Sequence, residues 1–407
     1  MRSPSLGRLA AIGLATSFVL PGLALAQQAP APGWAQGRPD SMAGSSLAPH
    51  APKLTATPAD QLPTAALRVP QGFKVELWAS GAPGARMMTE SPNGTVFVGT
   101  RTLGRVYAIS EEGGQRRVRT IASQLTDPNG VAVRDGALYV IAINRVLRFD
   151  GIEGKLDAPG TPVDMTAAFG LPSEAHHGWK FAAFGPDGRL YMNIGVPCNI
   201  CDYNRATHAL IVSFNPDGSG RRIEAQGIRN SVGFDWNPQT RELWATNNGR
   251  DWAGNDTPED TLHRIRRSGE DFGFPYCAHG WRDPAITSGP ATCAEFAQPV
   301  ALLGPHTAAL GMRFYTGTQF PEAYRNQIFI ARRGSWNRER LSGYDVVVAE
   351  LDANGAVIGV EPFLTGLRDE ANNRFLGRPV DVLVRRDGSL LVSDEQNGAI
   401  YRISYGN

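Results

Sequence analysis

Along most of the chain apolar residues come in short runs, each opened by a polar turn rich in Gly, Asn or Asp. Ser91-Pro92-Asn93-Gly94 leads into Thr95-Val96-Phe97-Val98, Asp135-Gly136 into Ala137-Leu138-Tyr139-Val140, and Gly185-Pro186-Asp187-Gly188 into Arg189-Leu190-Tyr191-Met192. A looser copy is Asn237-Pro238-Gln239-Thr240-Arg241-Glu242-Leu243-Trp244. Tyr324-Arg325-Asn326-Gln327 opens Ile328-Phe329-Ile330 without a glycine, and Arg386-Asp387-Gly388 opens Ser389-Leu390-Leu391-Val392. Such turns between apolar runs are hairpin signals, because glycine takes the positive φ a tight turn requires. Several are followed by a second strand, such as Arg105-Val106-Tyr107-Ala108-Ile109 or Ile400-Tyr401-Arg402-Ile403. Six copies over residues 67–407 leave about 57 residues each, room for four short strands and a loop. The pattern therefore predicts an all-β fold, a six-bladed β-propeller of four-stranded antiparallel blades, with a sandwich or closed barrel as the competing architecture. The widest gap lies between Thr240 and Asn326, which predicts long loops between the fourth and fifth units; loops on one face of a propeller build its site.

The first 66 residues follow a different pattern. Arg2 and Arg8 precede an apolar run over residues 9–25 that closes on Ala24-Leu25-Ala26, the layout of a signal peptide over residues 1–26 cleaved after Ala26. The arginines are not adjacent and no cysteine follows, so neither a twin-arginine signal nor a lipoprotein is supported. An uncleaved anchor is the alternative, but the run falls short of the ~20 residues a span needs. The expected location is periplasmic or secreted, with nothing spanning a membrane after cleavage. Residues 27–66, rich in Ala, Pro, Gln and Ser without periodicity, read as a disordered leader.

Composition narrows the function classes. Forty basic against 39 acidic residues give a formal charge of +1, which argues against nucleic acid or an anionic membrane as the main partner. The four cysteines, Cys198, Cys201, Cys277 and Cys293, read in an exported chain as two disulfides, with a zinc site as the alternative. Asp202 follows Cys201 where covalent haem attachment needs His, so no haem is carried.

Two segments place polar groups with no role in a strand. In Glu174-Ala175-His176-His177-Gly178-Trp179-Lys180-Phe181, a paired His ahead of a strand suits a general base at a channel mouth, the plain alternative being one core and one surface histidine. Gly227-Ile228-Arg229-Asn230-Ser231-Val232-Gly233-Phe234-Asp235-Trp236 offers a cation and an amide to an anionic ligand. A strand later, Asn247-Asn248-Gly249-Arg250-Asp251-Trp252 offers main-chain carbonyls to a hard cation. Each alone is also an ordinary turn.

In their order these segments resemble the soluble, pyrroloquinoline quinone-dependent sugar dehydrogenases, most closely the sorbosone and pyranose dehydrogenase branch, over about residues 67–405. The resemblance rests on His177 eight residues before Gly185, on Cys198-Asn199-Ile200-Cys201, and on the Arg229-Asn230 and Asn248-Gly249-Arg250 segments. Glu270-Asp271-Phe272-Gly273-Phe274-Pro275-Tyr276-Cys277, Gly334-Ser335-Trp336-Asn337-Arg338 and Gly377-Arg378-Pro379-Val380-Asp381 complete it. It implies a six-bladed propeller that binds pyrroloquinoline quinone (PQQ) and Ca2+. His177 would be the general base, with His176 its competitor, as hydride passes from the sugar to the quinone. Arg229 would stabilise charge on the quinone oxygen. Asn230, Asn248 and Arg378 would bind the cofactor. Gly249 and Arg250 would give main-chain carbonyls to calcium. The family's cofactor-binding lysine has no direct match; Arg332 or Arg333 is the nearest cation, and Arg333 takes the role. Asn248 and Arg250 replace the Gln and Pro of the glucose-oxidising branch, which turns the expectation from glucose to another aldose, pyranose or sugar aldehyde such as sorbosone. Bridges Cys198–Cys201 and Cys277–Cys293 are expected, and one of Trp179, Trp252, Trp281 and Trp336 should meet the sugar. With no electron-transfer module visible, the acceptor would be external, a cytochrome or a quinone.

Two other functions compete. A lactonase-type hydrolase on a similar propeller would hold calcium with Asp235, Asn248, Asp251 and Asp394, and a non-catalytic binding propeller would need none of these groups. Arg229 with Arg378 favours the dehydrogenase, because a polycarboxylate cofactor needs cations and a neutral lactone does not.

Overall fold

The computed structural model describes Met1 and residues 32–406; apart from Met1, the expected signal segment lies outside the described residues. Six four-stranded antiparallel sheets follow one another along the chain. Blade 1 is Met88–Glu90, Val96–Gly99, Val106–Glu112 and Gln115–Ala122. Blade 2 is Gly130–Arg134, Ala137–Ile141, Val146–Phe149 and Val163–Asp164. Blade 3 runs Ala182–Phe184, Leu190–Ile194, Leu210–Phe214 and Arg222–Gln226. Blade 4 is Phe234–Trp236, Leu243–Asn247, Glu259–Ile265 and Ala301–Pro305. Blade 5 is Ala309–Phe314, Ile328–Arg332, Asp345–Leu351 and Val357–Leu364.

Blade 6 closes the ring. Pro379–Val384, Leu390–Asp394 and Ala399–Tyr405 come from the C-terminal end, and the fourth strand, Phe73–Ala79, comes from the N-terminal side and pairs with the last. This joins both ends of the propeller in one sheet and removes the edge that an open sheet would expose. The six polar turns of the repeat all connect the first strand of a blade to its second. Between blades the packing is apolar: Trp244, Met312, Phe314 and Ile330, for example, are buried at the seam of blades 4 and 5.

Two features depart from the sequence reading. The long insertion lies inside blade 4 rather than between blades, because the fourth strand, Ala301–Pro305, returns only after it. Part of that loop, Glu270–Asp271, adds a parallel fifth strand to blade 3. The compact unit begins at Gly33, ahead of the leader boundary drawn at Ala66. Residues 33–66 carry short 3-10 turns and are tied to the propeller through side chains and isolated backbone bonds. Side-chain contacts of that kind leave no periodic signature. Both expected disulfides are present, Cys198–Cys201 and Cys277–Cys293, so the zinc alternative falls.

Candidate active site

The turns that connect successive blades, and those that join the second strand of a blade to its third, converge on a cavity of about 550 Å3. His177 lies in its wall, 7% exposed, on the loop that enters blade 3. Its backbone takes φ 51°, a left-handed conformation that costs a non-glycine residue about 1–3 kcal/mol and is retained where the surroundings fix it. The fixing is visible. His177 Nδ1 lies 2.9 Å from the Val196 carbonyl, which only accepts, so Nδ1 carries the proton and Nε2 keeps its lone pair. Between the two runs Gly195, where a Cβ would fall 2.5 Å from the Cβ of His177. Burial, then Arg229 and His176, push the His177 imidazole well below its ordinary value, so it is a neutral base at neutral pH. His176 packs edge-on at 4.1 Å and, half-exposed to the same cavity, is pushed down by burial to about 4.

Arg229 is buried beside the base, held by four oxygens within 3.3 Å and by Asp251 Oδ2 at 3.5 Å. Nε donates to the Asn199 carbonyl at 2.9 Å and Nη2 to Asn199 Oδ1 at 2.8 Å, while Nη1 donates to the Gly249 carbonyl at 2.8 Å and more weakly to that of Asn248 at 3.3 Å. Asn199 stands inside the Cys198–Cys201 bridge, so a four-residue covalent ring presents the group that orients Arg229. The role of Asn199 had no signal in the sequence beyond its place between two cysteines.

Asn230 lines the cavity with its Oδ1 buried and without a hydrogen bond. Asn248 also lines it but spends its amide on the Ala309 carbonyl at 2.7 Å. Gly249 reaches the wall, whereas the guanidinium of Arg250 turns away onto Asp283, at 2.5 and 3.1 Å, so Arg250 can serve the site only through its main chain. Asp251 and Asp260 are the carboxylates of this wall; burial pushes both up, opposed in Asp251 first by Arg229.

Across the cavity stand four more arginines, Arg86, Arg101, Arg333 and Arg378. Arg333 Nε is 2.5 Å and Arg86 Nη1 2.9 Å from the two oxygens of Glu395. Burial pushes the Glu395 carboxyl up, but Arg333, Arg86 and Arg378 together hold it well below the usual carboxylate range. Arg378 donates through Nη2 to the Gly334 carbonyl at 3.1 Å, its Nε is buried with no partner, and burial followed by Arg333 pushes it down to about 9. Arg101 lies over the Trp179 ring at 3.6 Å and is pushed down by burial to about 10. A second cavity of about 190 Å3 adjoins on this side, sharing Arg101, Arg333 and Arg378.

Arg86 and Arg101 were missed in the sequence. The repeat register holds the signal for Arg86: like Arg378, it stands one or two residues ahead of a first strand, where the chain passes the mouth of the channel. Of the four tryptophans considered, Trp179 and Trp336 line the cavity, whereas Trp252 and Trp281 do not. Asp235 and Asp394 lie away from the cavity, on backbone amides of Phe314 and Arg378, so the lactonase's ligand set is not assembled. Among the described residues no three His, Cys, Asp or Glu side chains group to hold a metal.

A buried histidine held below its ordinary value thus shares a cavity of a six-bladed propeller with five arginines and two carboxylates. The chain belongs to the glucose and sorbosone dehydrogenase family, which its residues 165–402 match. It is 31% identical to an uncharacterised protein of Borreliella burgdorferi over 84% of this chain and 92% of that one. It is 28% identical to the pyrroloquinoline quinone-dependent pyranose dehydrogenase of Coprinopsis cinerea over a shorter stretch, 32% of this chain and 22% of that protein. Among solved structures, the holo PQQ domain of that pyranose dehydrogenase superposes with a TM-score of 0.67 at 21% identity, covering 83% of this chain and 97% of that one. The PQQ-bound aldose sugar dehydrogenase of Streptomyces coelicolor superposes with a TM-score of 0.59 at 19% identity, over 83% and 99%. At such identities these two structures share the fold. Among the described residues no helix is long and apolar enough to cross a membrane.

Proposed function

We propose that the protein is an exported PQQ-dependent dehydrogenase that oxidises the anomeric hydroxyl of an aldose or pyranose, or a related sugar aldehyde, and passes electrons to an external acceptor. The observation that carries the cofactor assignment is the unbalanced cationic wall. Arg86 and Arg333 share Glu395, Arg101 lies 3.5 Å from Asp127, and Arg378 pairs with no carboxylate among the described residues, its Nε buried without an acceptor. A buried donor left unpaired costs about 1–3 kcal/mol, and a ligand with several carboxylates removes that cost. PQQ is such a ligand, and the residues present fit it: Arg378, Arg333 and Asn230 would hold its polar edge.

The calcium reading rests on oxygen donors. Gly249 and Asp251 line the cavity and offer a carbonyl and a carboxylate, oxygen donors of the kind calcium takes, and the main-chain carbonyl of Arg250 would have to turn toward them. Arg229 occupies the Gly249 carbonyl, so an ion there has to draw that bond away.

When bound, the quinone supplies the two-electron acceptor. His177 Nε2 takes the proton of the sugar hydroxyl, with Nδ1 fixed on Val196 so that the lone pair points one way. Arg229, preset by Asn199, offers positive charge where negative charge grows, with little reorganisation during the reaction. Trp179 and Trp336 give the site apolar faces for a sugar ring.

The test is a PQQ titration of calcium-loaded protein, followed by dye reduction with a panel of aldoses and repeated on His177→Ala. Saturable, calcium-dependent activity that vanishes in the variant while PQQ still binds is expected. Absence of quinone binding at micromolar concentration overturns the proposal.

A further inference from the structure

We infer that residues 33–50 form a strap fixed across the mouth of the cavity, and that Trp34 on it is a specificity-determining residue that limits the donor to a carbohydrate of one ring or smaller. The inference rests on the sugar-dehydrogenase reading above and adds the size of its substrate.

The strap has no sheet partner, and most of its residues are exposed, yet it supplies Gly33, Trp34, Pro49 and His50 to the cavity wall. Its near end is tied in three ways. The Trp34 ring stands edge-on to Trp336 at 5.8 Å and tilted against Trp252 at 6.3 Å. The Arg38 guanidinium covers Trp34 and Trp252, at 5.2 and 4.6 Å from their ring centres. Trp252 Nε1 donates to the Trp34 carbonyl at 2.7 Å, and Asn199 donates from its backbone N to Gln36 Oε1 at 2.7 Å and from Nδ2 to the Gln36 carbonyl at 2.8 Å. The far end is tied beside blade 6, where the His50 ring packs on Phe375 of the short hairpin that precedes that blade at 4.6 Å, and just past the strap Thr57 bonds Asn397 in a turn of blade 6 through N at 2.9 Å and Oγ1 at 2.7 Å.

These ties place the strap over the chemistry. A Cβ on Gly33 would lie 3.1 Å from His176 Nδ1, and His176 packs against His177, so the strap backbone rests on the histidine pair. Asn199, which holds Gln36, also holds Arg229, so strap and charged wall share one support. A cavity of about 550 Å3 is within the roughly 300–1,000 Å3 of small-molecule sites. A single ring brought to His177 Nε2 lies beneath Gly33 and Trp34, and a glycosidic chain extended from it meets the strap. The Trp34 indole, wedged by two other indoles and a guanidinium, is a rigid wall rather than a side chain that swings aside.

The test uses the full-length protein and Trp34→Ala. In the cofactor-free proteins, hydrogen exchange of the amides of residues 34–38 is expected to be at least about tenfold faster in the variant, since few buried contacts otherwise protect them. Equal exchange in the two overturns the strap, whether or not a quinone binds. With PQQ and calcium, kcat/KM is then compared between aldoses and their β-1,4-linked trimers. Wild type is expected to favour the monosaccharide about 100-fold or more, and Trp34→Ala to narrow the ratio about tenfold by raising the trimer figure, with the PQQ Kd unchanged within about twofold. Wild-type turnover of trimers equal to that of monosaccharides, or an unchanged ratio in the variant, overturns the size limit. If neither protein binds PQQ, the dehydrogenase reading fails and the exchange result alone decides the strap.

Discussion

Glu395→Gln tests the cationic wall quantitatively. Glu395 pairs with Arg86 and Arg333 at 2.9 and 2.5 Å, and its side chain is only 14% exposed, so solvent screens these pairs little. The substitution keeps the shape and removes the charge, leaving Arg86, Arg333 and Arg378 facing one another. Removing one partner of a buried pair costs about 3–5 kcal/mol. At ~2.1 cal/mol/K per residue, a propeller of ~340 residues unfolds with about 0.7 kcal/mol/K of entropy, so the melting midpoint should fall by about 4–7 °C. The pH dependence has a definite sign. Glu395 has a folded pKa held below its unfolded value, so its stabilisation is present above the usual 4.5 and is lost as pH falls toward the folded value. The assay is thermal unfolding of cofactor-free protein from pH 8 to pH 4. The full deficit should appear at pH 7 and narrow below about 4.5, and citrate, a polycarboxylate, should restore the variant more than wild type. A midpoint within about 1 °C of wild type at pH 7, or a deficit that widens on acidification, refutes the reasoning.

Three further outcomes follow from the site. Because burial and Arg229 hold His177 below 6.5, kcat/KM should stay flat from pH 8 down to 6.5 and fall only below it, and His177→Ala should lower kcat by about 10²–10⁴-fold; a descending limb centred at or above 6.5 contradicts the assignment. Gly195→Ala puts a Cβ 2.5 Å from that of His177 and 3.0 Å from Asn230 Oδ1 and should cost about 10²-fold in kcat by displacing the base; wild-type kcat would show that the close approach does not fix the ring. Arg378→Gln removes the guanidinium with the unpaired Nε and should weaken PQQ binding about 10–100-fold in a titration, whereas an unchanged Kd removes Arg378 from the cofactor site.

The site was legible where its parts are local. His177, Arg229, Asn230 and Asn248 stand on turns beside strands, and their types and spacing mark them in the sequence; all four meet at one cavity. Arg250 shows the limit of that reading. It is next to Gly249 in the chain, yet its guanidinium is spent on Asp283, more than thirty residues away, in the disulfide-closed insertion.

The sequence by itself determined the repeating unit, because a turn needing positive φ and an alternating apolar run are properties of a few neighbouring residues, and it marked the histidine loop for the same reason, whereas the zinc alternative to the cysteine pairs was closed only by the fold. Tertiary structure alone decided which distant groups meet. Closure of the ring by Phe73–Ala79 against Ala399–Tyr405, Arg86 and Arg101 in one cavity with Arg229, Glu395 between Arg86 and Arg333, Asn199 behind Arg229 and Gly33 against His176 all arise when six blades close a circle. Such contacts join residues up to several hundred positions apart, and no local spacing encodes them, since their energy appears only once the apolar faces between blades have packed.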